Sequence, residues 1–157
     1  MQRIGVISDT HGLLRPEAVA ALRGSDRIVH GGDIGNAAVL RELAAIAPVT
    51  AVRGNNDHGD WAQQVAHTEV LQLGEIFIYV LHDLSEMDVD PVAAGFHVIV
   101  SGHSHRPLIE TREGVLYVNP GSAGPRRFRL PISVAKLVLD GSSMRAEIIE
   151  LPLAAIA

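Results

Sequence analysis

A chain of 157 residues with 47% hydrophobic and 20% charged residues has the balance of one globular domain around one core, not of a disordered segment. Its net charge of -5 argues against a broad basic face for nucleic acid or anionic lipid, because such binding draws on Lys and Arg neutralising phosphates. The absence of cysteine excludes a disulfide framework, a thiolate metal site and a cysteine nucleophile. No apolar run approaches the length of a membrane span, and residues 4–7 are too brief for a signal-peptide core. We therefore expect a single domain over residues 1–157, without membrane or stable nucleic-acid partners and cytoplasmic by default.

In chain order, short β-branched runs over residues 4–8, 27–30 and 49–53 read as strands. Between them, residues 16–23 place Pro at a helix start, and residues 37–47 repeat apolar positions at three and four. This β-α-β-α-β opening predicts parallel strands buried on both faces. Strand-like runs follow at residues 65–73, 75–82, 97–101, 108–112, 115–119, 132–139 and 144–151. Several are joined by glycine-containing turns, so mostly antiparallel pairing is expected there. The two halves of the chain should form two sheets packed into one domain, with residues 152–157 as a tail.

The polar residues fall at the ends of these runs. SDTHG (residues 8–12), GGD (residues 31–33) and GNND (residues 54–57) follow the first three strands, and the carboxyl ends of parallel strands line the crevice where open sheets bind ligands. His82 and the pair His103 and His105 close later runs in the same way. An Asp-x-His pair alone carries little, and a lone histidine at a strand end is usually a satisfied core residue. Two imidazoles at i and i+2 after a glycine can reach one centre. Five elements in the order D-x-H, G-D, G-N, H and G-H-x-H, each after an apolar strand, are hard to reach by independent accident.

With those motifs, and with GGDIG, GHSHRP and NPGS (residues 119–122) among them, the chain resembles the calcineurin-like metallophosphoesterase superfamily and its short bacterial and archaeal phosphodiesterase branch. The resemblance covers nearly the whole chain. It implies an α/β fold, a four-layer α-β-β-α sandwich of two packed mixed sheets, with two metal ions in the crevice. Carried over position by position, it puts Asp9, His11, Asp33 and His105 on one ion and Asp33, Asn55, His82 and His103 on the other.

The donor chemistry agrees with that allotment. A carboxylate has two oxygens and can bridge cations about 4 Å apart, which suits Asp33, while Asn55 offers a neutral carbonyl oxygen. Imidazole, carboxylate and amide donors without sulfur suit divalent transition metals, with manganese expected and iron, cobalt, nickel or zinc as alternatives. Such a pair acidifies a bridging water, supplies hydroxide as nucleophile and clamps phosphoryl oxygens. The expected activity is a dinuclear-metal phosphoric ester hydrolase, above all a phosphodiesterase, acting on a small phosphate ester.

The chain departs from the superfamily pattern at two places. Many members carry a histidine after the metal-binding Asn, where it protonates the leaving oxygen; here Asn56 stands there, and an amide donates a hydrogen bond but not a proton. Asp57 then reads as a structural acceptor, and His58 as an exposed loop residue that could reach the leaving group. The polar catalytic set is Asp33, Asn55, Asn56 and Asp57. Asp83 replaces the usual Gly after His82, where a positive φ or a close backbone approach is expected. His30, His67 and His97 are assigned to core or surface, and the basic loop at residues 126–129 to solvent.

A second class remains, since the retromer scaffold subunit resembles the same branch and uses the fold for protein contacts. Seven ligands at seven expected positions favour the enzyme, because a scaffold does not need them all. Association into a homo-oligomer through a sheet edge or the apolar run at residues 151–156 is also expected.

Overall fold

The computed structural model describes residues 1–127 and 129–152, so most of the expected tail and of the apolar run at residues 151–156 lies outside the described residues. The first half follows the predicted order: β1 (Gln2–Ile7), α1 (Pro16–Leu22), β2 (Arg27–His30), α2 (Ala37–Ala44) and β3 (Val49–Ala51). Pro16 opens α1, where its missing N–H is no loss. Asn36 caps α2 by accepting from the Val39 N–H at 3.2 Å. That helix stops at Ala44, three residues before the predicted end, as the chain tightens toward Pro48, whose ring disfavours helical backbone before it.

The remaining strands are β4 (Thr68–Leu73), β5 (Ile76–Leu81), β6 (Val98–Val100), β7 (Leu108–Arg112), β8 (Val115–Asn119), β9 (Ser133–Asp140) and β10 (Ser143–Glu150). Two short helices were not foreseen, α3 (Asp60–Gln63) and α4 (Pro91–Ala94), nor was a 3-10 turn at Leu84–Glu86. Each is three or four residues long, too brief for a helical period to show in sequence.

Two mixed five-stranded sheets result, in the orders β10-β9-β1-β2-β3 and β4-β5-β6-β8-β7. They do not divide along the halves of the chain. β9 pairs antiparallel with β1, Ile4 opposite Leu137, and brings β10 with it into the first sheet. Most of the pairing in the second half is antiparallel, as expected, with β4 on β5 and β7 on β8 at the edges of the second sheet, but β5, β6 and β8 run parallel at its centre. The long connection from β5 to β6, which carries the 3-10 turn and α4, is the crossover that parallel neighbours need.

Strand alternation separates the layers. Ile4, Val6 and Val29 meet Ile78, Val80, Val98 and Val118 between the sheets. Ile7, Ile28 and Val134 face the opposite way, onto Ala18 and Leu22 of α1 and Val39 and Leu43 of α2. The outer face of the second sheet buries Tyr79, Leu81, Ile99 and Tyr117 beneath Leu84, Met87, Val89 and Phe96. This fourth layer is thin, a 3-10 turn and the connecting segment that runs on to Phe96, while α4 itself buries no residue. No helix among the described residues is long and apolar enough to cross a membrane.

Candidate metal centre

The polar motifs leave the carboxyl ends of the parallel strands of both sheets and meet on one rim. Backbone bonds fix the loops to one another: the N–H of Asp9 donates to Gly32 O at 2.9 Å, that of His11 to Asp33 O at 2.9 Å, and that of Gly102 to His82 O at 2.9 Å. Glycine permits the closest approaches. A Cβ at Gly54 would fall on the Asp33 backbone and carboxylate, and one at Gly102 would lie 2.6 Å from Asp9 Oδ2. Asp9, His11, Asp33, His103 and His105 all adopt left-handed backbone, with φ of 55°, 49°, 55°, 70° and 62°. Non-glycine residues rarely adopt it outside functional sites and tight turns.

Two groups of donor atoms gather here, Asp9 with His11 and His105, and Asp9 with Asp33 and His82, each within 4.8 Å. Asp9 Oδ1 lies 3.3 Å from His105 Nε2, 3.9 Å from His11 Nε2 and 4.0 Å from His82 Nε2. Asp33 Oδ2 lies 3.3 Å from His82 Nε2 and 3.7 Å from His11 Nε2, so each carboxylate reaches both groups. His103 joins through Nδ1, 3.3 Å from His82 Nε2. Asn55 is exposed on the neighbouring loop, and no hydrogen bond ties its side chain to the cluster.

This donor set fits a metal. Asp9 Oδ1 and His11 Nε2, which face each other across the cluster, are buried without a hydrogen-bond partner, a desolvation that a cation between them would relieve. Ligands about 2.1 Å from one ion stand roughly 3–3.5 Å apart, and three of the spacings above are 3.3 Å. His82 Nδ1 faces the Gly31 carbonyl at 2.8 Å and must donate to it, which turns the Nε2 lone pair toward the carboxylates.

The electrostatics carry the mark of surplus negative charge. Burial would lower the His82 imidazole, but the contact with Asp33, the charge of Asp9 and the bond to Gly31 outweigh it and raise the pKa to about 9. Burial would raise the Asp33 carboxyl, yet His82 and the Asn56 N–H groups hold it well below the usual carboxylate range. His11 goes the other way, because burial dominates the pull of Asp33 and Asp9, and Arg127 adds to the lowering. Without a cation, then, a proton on His82 balances the carboxylates, and binding of a cation must displace it.

Around the donors lies a shell of supporting residues. Asn56 donates to Asp33 from its backbone and from its amide, at 2.9 and 3.0 Å. Asp57 is buried and accepts from the N–H groups of Ile34, Gly35 and Gly54 at 3.2, 3.0 and 2.8 Å, tying the GGD and GNND loops together. His58 is exposed on the rim. His30 belongs to the core and is part of a directional chain. Gly32 N–H donates to its Nδ1 at 3.0 Å, so Nε2–H donates to Thr10 Oγ1 at 3.0 Å and Thr10 to Ile34 O at 2.8 Å. His67 is exposed, and His97 accepts from Phe77 N away from the site.

Sequence reading missed the parts played by Ser8, Thr10, His30, Asn119 and Ser122. Ser8 donates to Asp9 Oδ2 at 2.7 Å and Ser122 to Asp9 O at 3.1 Å. Asn119 donates to Gly102 O at 3.0 Å and Ser104 Oγ at 3.2 Å, which makes the NPGS turn a brace for the histidine loop. Their shared signal is a polar residue inside or at the end of an otherwise apolar run. Asp83 has ordinary extended backbone, φ -114°, so no positive φ is required where the superfamily resemblance expects Gly.

A two-sheet sandwich with carboxylates, imidazoles and orphaned donors at its strand ends defines a metallophosphoesterase-like protein. Residues 2–142 match the family model of the calcineurin-like phosphoesterase superfamily domain, and the chain belongs to that family. It is 35% identical to a probable metallophosphoesterase of Methanothermobacter thermautotrophicus, over 93% of this chain and 91% of that protein. Among solved structures it is similar to a novel archaeal phosphodiesterase, with TM-score 0.77, 21% identity and coverage of 94% and 100% of the two chains. It is likewise similar to Vps29 of Chaetomium thermophilum, with TM-score 0.78, 20% identity and coverage of 97% and 100%. At those identities the two structures establish the shared fold.

Proposed function

We propose that this phosphoesterase is a phosphodiesterase with a dinuclear metal centre, acting on a small phosphate ester. The observation that carries the reading is the convergence of Asp9, His11, Asp33, His82, His103 and His105, with Asp9 Oδ1 and His11 Nε2 buried and unpaired where they face each other. Asp33 is the proposed bridge, and Asn55 completes the set from its exposed loop. When bound, two divalent transition-metal ions, manganese foremost, supply the positive charge that holds phosphoryl oxygens and acidifies the attacking water.

The chain itself does the rest. Asn56 and His82 hold the Asp33 carboxylate ionised, so it is ready to bind a cation without first losing a proton. Asp57 and the His30 chain fix the loops that carry Asp9 and Asp33, so the donors need little rearrangement. Neither Asn56, engaged with Asp33, nor His58, exposed outside the cluster, is proposed as the proton donor to the leaving group. A cavity of about 530 Å³ opens beside Gly102 and His103, lined by Leu84, Pro107, Leu108, Tyr117 and Leu130. It offers apolar room for an organic substituent, which a diester carries on both sides of its phosphorus.

The test is hydrolysis of a panel of mono- and diesters by metal-stripped protein reloaded in turn with manganese, cobalt, nickel or zinc. Metal-dependent turnover, fastest on diesters, is expected. Absence of turnover on every ester would leave the second reading, a metal-binding interaction scaffold, which the likeness to Vps29 supports.

A further inference from the structure

We propose that Asp83 is a positioning residue for the metal centre, orienting the His103 ring through its outer nitrogen so that Nδ1 is presented to the ion. The inference rests on the metal-centre reading above and extends it to a residue that supplies no ligand.

The two carboxylate oxygens of Asp83 have separate surroundings. Oδ1 caps the 3-10 turn, accepting from Ser85 N at 3.0 Å and Ser85 Oγ at 2.8 Å. This fixes the carboxylate plane and leaves Oδ2 directed at His103 Nε2, 3.6 Å away. On the far side of the same ring, Nδ1 stands 3.3 Å from His82 Nε2. A carboxylate only accepts, so it favours the tautomer with the proton on Nε2 and leaves the Nδ1 lone pair free on the side where the donors gather.

His103 is the ring that needs such help. Its side chain is 45% exposed, against 17%, 6% and 4% for His11, His82 and His105. Burial holds those three rings, and His82 is aligned besides by the Gly31 carbonyl. His103 has its backbone anchored, with N–H donating to Asp9 Oδ2 at 3.1 Å, but little packing to stop the ring turning toward water. A carboxylate behind a metal-bound histidine fixes ring orientation and raises ligand basicity. The extended backbone at Asp83 shows that the position does not demand glycine, so the carboxylate is present without strain.

The test compares manganese and cobalt binding to metal-stripped wild type, Asp83→Asn, Asp83→Gly and Ser85→Ala by competition with a chelator. Asp83→Asn keeps an oxygen for the Ser85 cap and removes the charge behind His103, so it remains informative should Asp83→Gly fold poorly. One of the two sites should weaken by about 10- to 100-fold in both Asp83 variants, with a smaller loss at the same site in Ser85→Ala. In the cobalt-loaded protein, the paramagnetically shifted ring N–H of His103 should exchange with solvent faster once Asp83 is replaced. Wild type that binds no metal would sink the metal-centre reading itself. Wild type that binds two ions, with Asp83→Asn matching it in both affinities and in N–H exchange, would overturn this inference alone.

Discussion

Asn56 grips Asp33 twice, its backbone N–H donating to Oδ1 at 2.9 Å and its side-chain amide to Oδ2 at 3.0 Å. The residue standing where many relatives place a proton donor is thus committed to holding a carboxylate. Turnover should therefore depend steeply on the leaving group, with aryl esters far ahead of alkyl ones. Asn56→His keeps the backbone half of the grip and adds an acid. It should raise alkyl-ester turnover preferentially, by up to about 10²- to 10⁴-fold, and flatten the dependence. If the original enzyme already shows a flat dependence with chemistry rate-limiting, and His58→Ala leaves it flat, a donor other than these residues must act.

The reach of Asp33 to both His11 and His82 predicts unequal effects on metal content. Asp33→Asn should lose both ions, whereas His11→Ala should chiefly loosen one. Elemental analysis of the folded, purified variants decides it. Two full equivalents retained by Asp33→Asn would contradict the bridge.

Asp57 has a different signature. Asp57→Ala leaves the N–H groups of Ile34, Gly35 and Gly54 without their acceptor, and should destabilise the metal-free protein by roughly 3 kcal/mol or more. Urea unfolding of the stripped protein measures this. A loss of activity at unchanged stability would instead argue that Asp57 acts in the chemistry.

His30 predicts the acid limb of stability. Burial, only partly opposed by Asp9 and Asp57, lowers its pKa to about 4 from the ordinary 6.5. Between these values the unfolded chain binds the proton and the folded chain does not. Stability from this group is therefore complete above pH 6.5 and falls by about 3 kcal/mol as the pH drops to 4. The acceptor role of Nδ1 explains the resistance, because a proton there would oppose the Gly32 N–H. Unfolding of metal-free wild type and His30→Leu across that range should show a shallower slope in the variant; parallel slopes would remove His30 from the account.

The strands that carry the motifs were legible because β-branched runs ended in polar residues, and that pattern survives whatever the pairing. Pairing partners were not legible. Nothing local to β9 says that Leu137 will sit opposite Ile4, since that contact depends on which sheet edge is free once the first three strands have assembled. The parallel centre of the second sheet was readable in principle from the long gap between β5 and β6. The polar support was hidden for another reason: Thr10, His30 and Asn119 act on residues far away in sequence, and each looks alone like a common turn or core residue.

The left-handed backbone at Asp9, His11, Asp33, His103 and His105 bears on how such a protein changes over generations. Each of these residues holds a conformation that glycine adopts freely and that other side chains enter at a cost of up to about 1–2 kcal/mol, less for Asp. His103→Gly, at the most exposed of them, should raise the unfolding midpoint of the metal-free protein, and a lowered midpoint would refute the strain. Selection for stability alone therefore pulls against the ligand set. A lineage no longer held to metal binding is expected to exchange these donors for residues that rest more easily in that backbone, with a gain in the stability of the metal-free chain.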